Sequence, residues 1–252
     1  LRGAADADVV MPRADARAGG ASSGANQQRR SHEEEESVFH KHLLFVSPLP
    51  SILRGSIAMF YQRLNEHHSL RQLALSDAED LLAVVETNRA HLRRWLPWLD
   101  RTQAIGDMRG FIESALRQSE NNQGFQTVIL HHGSIAGLVG YHRIDWSNRH
   151  TSLGYWLAEE YQGRGLMTAS VQGLVDHAFS ALNLNRITIA CATGNIRSRA
   201  VPERLGFVHE GRLRDAEWLY DHYVDHDVYS QLQREWQART IVRMVGMPER
   251  RT

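Results

Sequence analysis

Along residues 151–182 the apolar side chains change their period. Positions 151–157 crowd together as a strand does, whereas Val171, Leu174, Val175, Ala178, Phe179 and Leu182 fall three and four apart, the spacing of one buried helix face. Upstream, the pattern predicts a strand over 69–75. A helix follows, capped by Ser76 with Glu79 three residues on, its buried face Ala78, Leu81, Leu82 and Val85. Pro97 breaks the run Arg93 to Trp98, and a second helix carries Ile105, Met108, Phe111, Ile112, Ala115 and Leu116 at helical spacing. Strands over 126–130 and 134–144 meet at His131-His132-Gly133, a hairpin with the glycine at its turn. Residues 185–192 alternate as a strand with Ile187, Ile189 and Cys191 on one face. Ser198 is then placed to cap a short helix that Gly206 ends, and strands over 210–220 and 223–232 complete the series. The order β-αα-βββ-α-β-α-ββ defines an α/β domain.

Composition divides the 252 residues into three parts. Residues 1–58 are rich in Ala, Gly, Ser, Arg and Gln, include the run Glu33 to Glu36 and show no sustained period. Such a stretch buries too little apolar surface to offset the entropy of ordering it, so disorder is expected there. The chain begins at Leu1, and Met59 is a natural start for the folded part, 59–237. Residues 233–252 end in Glu249-Arg250-Arg251 and are expected to fray, with 238–252 as the tail beyond the domain. With 29 basic and 29 acidic residues, nothing in the charge balance calls for nucleic acid. The apolar stretch 43–53 is interrupted by Pro48 and Pro50 and is too short to span a bilayer, so no membrane partner is expected. A single cysteine, Cys191, excludes an intrachain disulfide and suits a reducing compartment, with cytoplasm as the expected location.

The strand at 151–157 runs through a glycine-bearing loop into the helix face described above. The first N–H groups of that helix have no partner within it, which makes its start an anion site, and Gly163 and Gly165 let a phosphate approach the backbone. Nucleotide loops ask for more. No Gly-Lys-Ser/Thr follows, and Gly163-Arg164-Gly165 is followed by Leu166, Met167 and Thr168 without the third glycine of a dinucleotide fold.

The remaining pattern, Gln162-x-x-Gly165-x-Met167, resembles the pyrophosphate loop of the GNAT acetyltransferase superfamily, written Gln/Arg-x-x-Gly-x-Gly/Ala, with Met167 departing at the last position. The downstream order of strand, Asn195-x-x-Ser198, short helix and Gly206-Phe207 is similar to the acetyl-CoA half of that superfamily. Gly154-Tyr155-Trp156-Leu157, Glu210-Gly211 and Ala216-Glu217 resemble the RimL/RimJ-like ribosomal-protein N-acetyltransferases, over roughly residues 69–236. The resemblance implies the GNAT fold, a mixed, mostly antiparallel central sheet with helices on both faces and a splayed cofactor cleft. It also implies acetyl-CoA as cosubstrate and no metal.

Acetyl transfer needs a grip on CoA, a neutral amine, a donor for the carbonyl oxygen and a proton for the departing thiolate. The loop Gln162, Gly163, Arg164, Gly165, Leu166, Met167 and Thr168 supplies the grip, and Arg197 and Arg199 lie near it in sequence. In the family the pantetheine arm lies along the strand ending at Trp156 and Leu157, where a free amide would serve as oxyanion donor, and Asn195 bonds the arm from its other side. Glu217 matches the glutamate that deprotonates the amine through water in RimL-like enzymes. Pro202 stands where many members carry the tyrosine that protonates the thiolate, and Ser198 is the substitute. A thiol of pKa about 8.5 also leaves with little acid help.

Cys191 reads as a buried strand thiol rather than a nucleophile. His222 and His226, set among Asp221, Asp225 and Asp227, fall on strands and a turn rather than the helix a His-Glu-x-x-His site requires. Trp95, Trp98 and Tyr155 are core or groove lining. Glu210, Asp215, Glu217, Asp221, Asp225 and Asp227 gather after the CoA half and would attract a cationic acceptor. An α-amine of pKa about 8 is roughly 10% neutral at pH 7, whereas a lysine is neutral only to about one part in a few thousand. The resemblance therefore points to a protein N-terminus, with ribosomal protein first. A small amine such as a polyamine, an antibiotic or an amino acid is the alternative, and a non-catalytic acyl-CoA-binding module the next. Monomer and homodimer are both compatible with the sequence.

Overall fold

The computed structural model describes residues 60–245, with side chains described to residue 241. The expectations for 1–58 and for the last residues of the tail lie outside this range. Among the described residues, eight strands form one sheet in the order β1-β2-β3-β4-β5-β6-β8-β7. They are β1 (Tyr61–Arg63), β2 (His68–Gln72), β3 (Gln126–His131), β4 (Ser134–Tyr141), β5 (His150–Leu157), β6 (Arg186–Ala192), β7 (Val208–Leu219) and β8 (His222–Leu232). Every neighbouring pair is antiparallel except β5–β6.

Two apolar layers cover the sheet. Against one face lie α1 (Ala78–Thr87), the single turn α2 (Arg89–Leu92) and α3 (Ile105–Glu120), burying Leu81, Val85, Met108, Phe111 and Ile112 against Val128, Leu138 and Trp156. Against the other lie α4 (Leu166–Ser180) and α5 (Ile196–Arg204), burying Val171, Leu174, Val175, Ala178 and Phe179 against Val139, Leu153, Ile187 and Ile189. Strand alternation explains the division, since Leu153 and Leu157 face α4 while Trp156 between them faces α1–α3.

Several details differ from the sequence reading. Strand β1 is three residues long and carries no apolar alternation, so no period marks it. Ser76 does not cap α1. It lies within a 3-10 turn, Leu75–Asp77, and the Asp77 carboxylate accepts from the Ala74 N–H at 2.8 Å while pairing with Arg71 at 2.6 Å. The α5 cap is Asn195, whose Oδ1 accepts from the Ser198 N–H at 3.2 Å, so Ser198 stands at the third helical position instead of the cap. Gly206, in the left-handed region, follows the end of α5 as expected. Leu182 lies just past α4 yet still packs on its core. The C-terminal segment is helical rather than frayed through α6 (Gln233–Val245). Glu235 accepts from the Leu232 N–H at 3.0 Å, and Trp236 packs on Phe179 and donates to Asp176 at 2.6 Å.

Candidate active site

The parallel β5–β6 pairing runs only through His150↔Arg186, Thr151↔Ile187 and Ser152↔Thr188. Beyond Ser152 the two strands separate, and the sheet opens there. On its other edge β5 stays paired with β4 to Gly137↔Leu157. The His142 N–H bonds the Ser152 carbonyl and the Ala158 N–H bonds the Ala136 carbonyl, both at 2.9 Å. Antiparallel alternation then turns the backbone groups of Gly154 and Trp156 toward β4, and those of Tyr155 and Leu157 toward the opening. The Leu157 backbone, expected on the cofactor strand, thus faces the opening. The Trp156 peptide is turned to the sheet instead, and its indole lies in the α1–α3 core. Tyr155, which no residue pattern marks until the pairing edge is known, presents its backbone to the opening.

The cleft at this opening is lined by Leu153, Gly154 and Tyr155 from β5, Ala190, Cys191 and Ala192 from β6, Asn195 and Ser198 around α5, Trp95 and Leu96, and Glu217 and His226. It reaches both faces. Cys191, Tyr155 and Ser198 gather on the α4–α5 side, where the Ser198 hydroxyl donates to Cys191 Sγ at 3.2 Å. Pro202, inside α5, has no N–H to offer the Ser198 carbonyl four residues earlier. The Tyr155 hydroxyl supplies that bond at 2.9 Å, and burial raises its pKa well above the ordinary phenol value, keeping it a neutral donor. The same pairing leaves Ser198 Oγ 3.4 Å from the Tyr155 hydroxyl.

At the end of β5, Gly163 and Gly165 both hold φ of 75°, and Gly165 caps α4. A Cβ at either would meet open space, so conformation rather than crowding selects glycine there. The first helical bond here runs from the Ala169 N–H to the Gly165 carbonyl, which leaves the amides of Leu166, Met167 and Thr168 at the helix mouth. Gln162 links two elements beside the loop. Its Nε2 lies 2.7 Å from His91 Nε2, and its Oε1 accepts from Arg197. Burial holds His91 below its ordinary pKa, consistent with a neutral ring accepting from the amide. Arg164 projects to solvent. Arg199 is turned inward to the Asp227 carboxylate at 3.1 Å, the Tyr229 hydroxyl at 3.1 Å and the Thr193 carbonyl at 3.0 Å, which removes it from the expected phosphate contacts.

On the opposite side, β7 breaks register with β8 between Leu213 and Glu217, with Asp215 at φ 49° and its N–H bonded to Asp225 Oδ1 at 2.9 Å. This bulge aims Glu217 into the cleft, where its side chain is 16% exposed. Its Oε2 lies 3.4 Å from Nε2 of His226, itself only 3% exposed. In sequence His226 suggests only a metal spacing, and its neighbour Glu217 is nine residues away across a hairpin. Among the described residues no group of three or more His, Cys, Asp or Glu is arranged to hold a metal ion. Asp227 instead ties Arg199 and Arg212 together, and Glu210 is bound to Arg186. The acidic cluster seen in the sequence is therefore mostly committed to ion pairs or backbone, with Glu217 turned to the cleft.

A split mixed sheet with a glycine-capped helix at the mouth of the opening is the arrangement expected of an acyltransferase of the GNAT fold. Residues 68–208 match the family model for the acetyltransferase (GNAT) domain, and the chain belongs to that family. It is similar to YdaF of Bacillus subtilis (strain 168), provisionally named a ribosomal N-acetyltransferase, at 39% identity over 71% of this chain and 99% of that protein. The structure of RimL, a ribosomal-protein α-N-acetyltransferase in complex with coenzyme A, aligns with TM-score 0.67 and 26% identity over 69% of this chain and 98% of RimL. That of the microcin C7 self-immunity acetyltransferase MccE, in complex with acetyl-CoA and AMP, aligns with TM-score 0.64 and 29% identity over 67% and 94%. The protein is an acetyl-CoA-dependent N-acetyltransferase of the RimL-like type. Among the described residues, no helix is long and apolar enough to cross a membrane.

Proposed function

We propose that the acceptor is the N-terminal α-amine of a protein, with a ribosomal protein as the first candidate, and that it attacks acetyl-CoA directly in a ternary complex. The supporting observation is the through-sheet opening, which carries Ser198 and the α4 mouth on one side and Glu217 on the other. The pyrophosphate sits on the amides of Gly163 to Thr168, with Arg164 and Arg197 beside it. The pantetheine arm extends β5 across the opening, taking the backbone groups of Tyr155 and Leu157, and Asn195 flanks it while also capping α5. The thioester oxygen is received by one of those β5 amides.

The amine enters past Trp95 and Leu96 and gives its proton, through water, to the Glu217 carboxylate. Its lone pair then forms the C–N bond as the C–S bond breaks, and the thiolate receives a proton from the Ser198 side. A cytoplasmic enzyme meets such acceptors as they leave the ribosome.

The test is an acceptor panel with acetyl-CoA and mass detection, containing peptides with free N-termini, the same peptides blocked at the N-terminus but carrying lysine, polyamines and free amino acids. Acetylation confined to free peptide N-termini is the expected result. Turnover of polyamines or amino acids with peptides inert would replace the proposed acceptor with a small amine.

A further inference from the structure

We propose that His226 is a positioning residue for the reaction, holding the Glu217 carboxylate in the cleft; this rests on Glu217 being the base. Two independent features converge on the contact. The β7 bulge delivers Glu217 from the edge strand, and the uninterrupted register Ala192↔His226 delivers the ring from β8. Because Glu217 pairs with Val224 and His226 lies two residues further along β8, both side chains project from the same sheet face. Both line the cleft, and Nε2 meets Oε2 at 3.4 Å.

A carboxylate at the end of a bulged edge strand has several rotamers available. A buried ring beside it restricts them, keeping the carboxylate where it can accept the amine proton. The proton accepted from the amine goes to Glu217, and after product leaves it is lost to solvent through the open mouth. His226 changes neither bonds nor proton count over the cycle. The titratable side chain against the ring from another element is Glu217 of β7, while Cys191 of β6 and Tyr155 of β5 line the same cleft from its α4–α5 side. Asp225 and Asp227 flank it on β8 but alternate to the opposite face, where Asp227 meets Arg199 and Arg212.

The experiment compares wild type with His226→Gln, whose amide can restore a polar contact to the carboxylate, His226→Leu, which cannot, and Glu217→Gln, using the best acceptor from the panel. Acetyl-CoA affinity is measured alongside kcat and acceptor KM. His226→Leu is expected to lower kcat by about 10²-fold with acetyl-CoA affinity and acceptor KM little changed. His226→Gln is expected to retain most of the rate. Equal rates in wild type and His226→Leu, with Glu217→Gln slow, would overturn this proposal alone. Equal losses of rate and thermal stability in the Gln and Leu variants would overturn it too, since that pattern marks a packing role. A Glu217→Gln variant as fast as wild type would remove the base assignment itself.

Discussion

The segment from β4 to α5 and the β7–β8 hairpin contribute to one cleft but are built in opposite ways. The first is a regular ββαβα passage with a continuous apolar core beneath α4, and what it offers a cofactor is largely backbone that the fold exposes: the split edge of β5 and the mouth of α4. The second is a twisted two-strand ribbon at the sheet edge, with two breaks of register, whose contribution is side chains, Glu217 and His226. Backbone sites suit a ligand common to a whole family, and the family match ends at Val208, the first residue of β7. Side chains placed by irregularities can be altered without disturbing the core, which suits the part that meets an acceptor.

Changes to the two regions should therefore separate chemistry from cofactor binding. Glu217→Gln is expected to lower kcat by about 10²–10⁴ while leaving acetyl-CoA affinity unchanged, measured by steady-state rates and calorimetric titration. Equal losses in both would break the division. Gly165→Val has the mirrored expectation, because a β-branched residue at φ 75° costs about 1–3 kcal/mol and moves the amides of the α4 mouth. Acetyl-CoA binding should weaken by about 5–150-fold, with acceptor KM little changed.

Smaller effects sharpen the contrast within the donor region. Tyr155→Phe leaves the Ser198 carbonyl without its donor and is expected to cost about 1–3 kcal/mol in chemical denaturation. Pro202→Ala in that background returns an N–H to the same carbonyl and should recover part of the loss. Failure of the second change to help would show that the Tyr155 bond does not replace the missing helix bond.

Acid should loosen the rest of the fold before the β7–β8 hairpin. His68, His91, His131, His150 and His177, all outside the hairpin, are held below the ordinary histidine pKa, chiefly by burial. Their neutral rings favour the fold fully above pH about 6.5, and that contribution is lost as pH falls through their lower folded values. Glu210 of β7, bonded to Arg186, is lowered from 4.5 to about 2, so its contribution is present above 4.5 and lost only as pH falls toward 2. Hydrogen exchange at pH 5 is expected to rise first around β2 and β3, where the rings of His68 and His131 lie tilted to one another with centroids 4.8 Å apart, and later in the β7–β8 hairpin. The reverse order would contradict this.

Legibility in the sequence follows the same division. The α4 period, the glycines before it and the Ile187-Ile189-Cys191 alternation are local signals, and each produced the element it predicted. The caps were harder, since Ser76 and Ser198 compete with Asp77 and Asn195 one to three residues away and only backbone geometry decides between them. Trp156 against Tyr155 is a question of which edge of β5 is occupied, a long-range property. The pairing of Glu217 with His226 depends on a bulge that shifts register, and Arg199 is claimed by an aspartate on a strand 28 residues away. No periodicity encodes such contacts.

The claim on which the two-region account depends is that amine and thioester meet across the split sheet without an enzyme-bound acetyl group. Rapid-quench intact-mass measurement, first with acetyl-CoA alone and then with an acceptor peptide added, tests it directly. Direct transfer requires the protein to keep its unmodified mass at all times while acetyl-peptide and CoA appear together. An acetyl adduct on Cys191 that forms before acceptor is added and decays at the rate of product formation would contradict it.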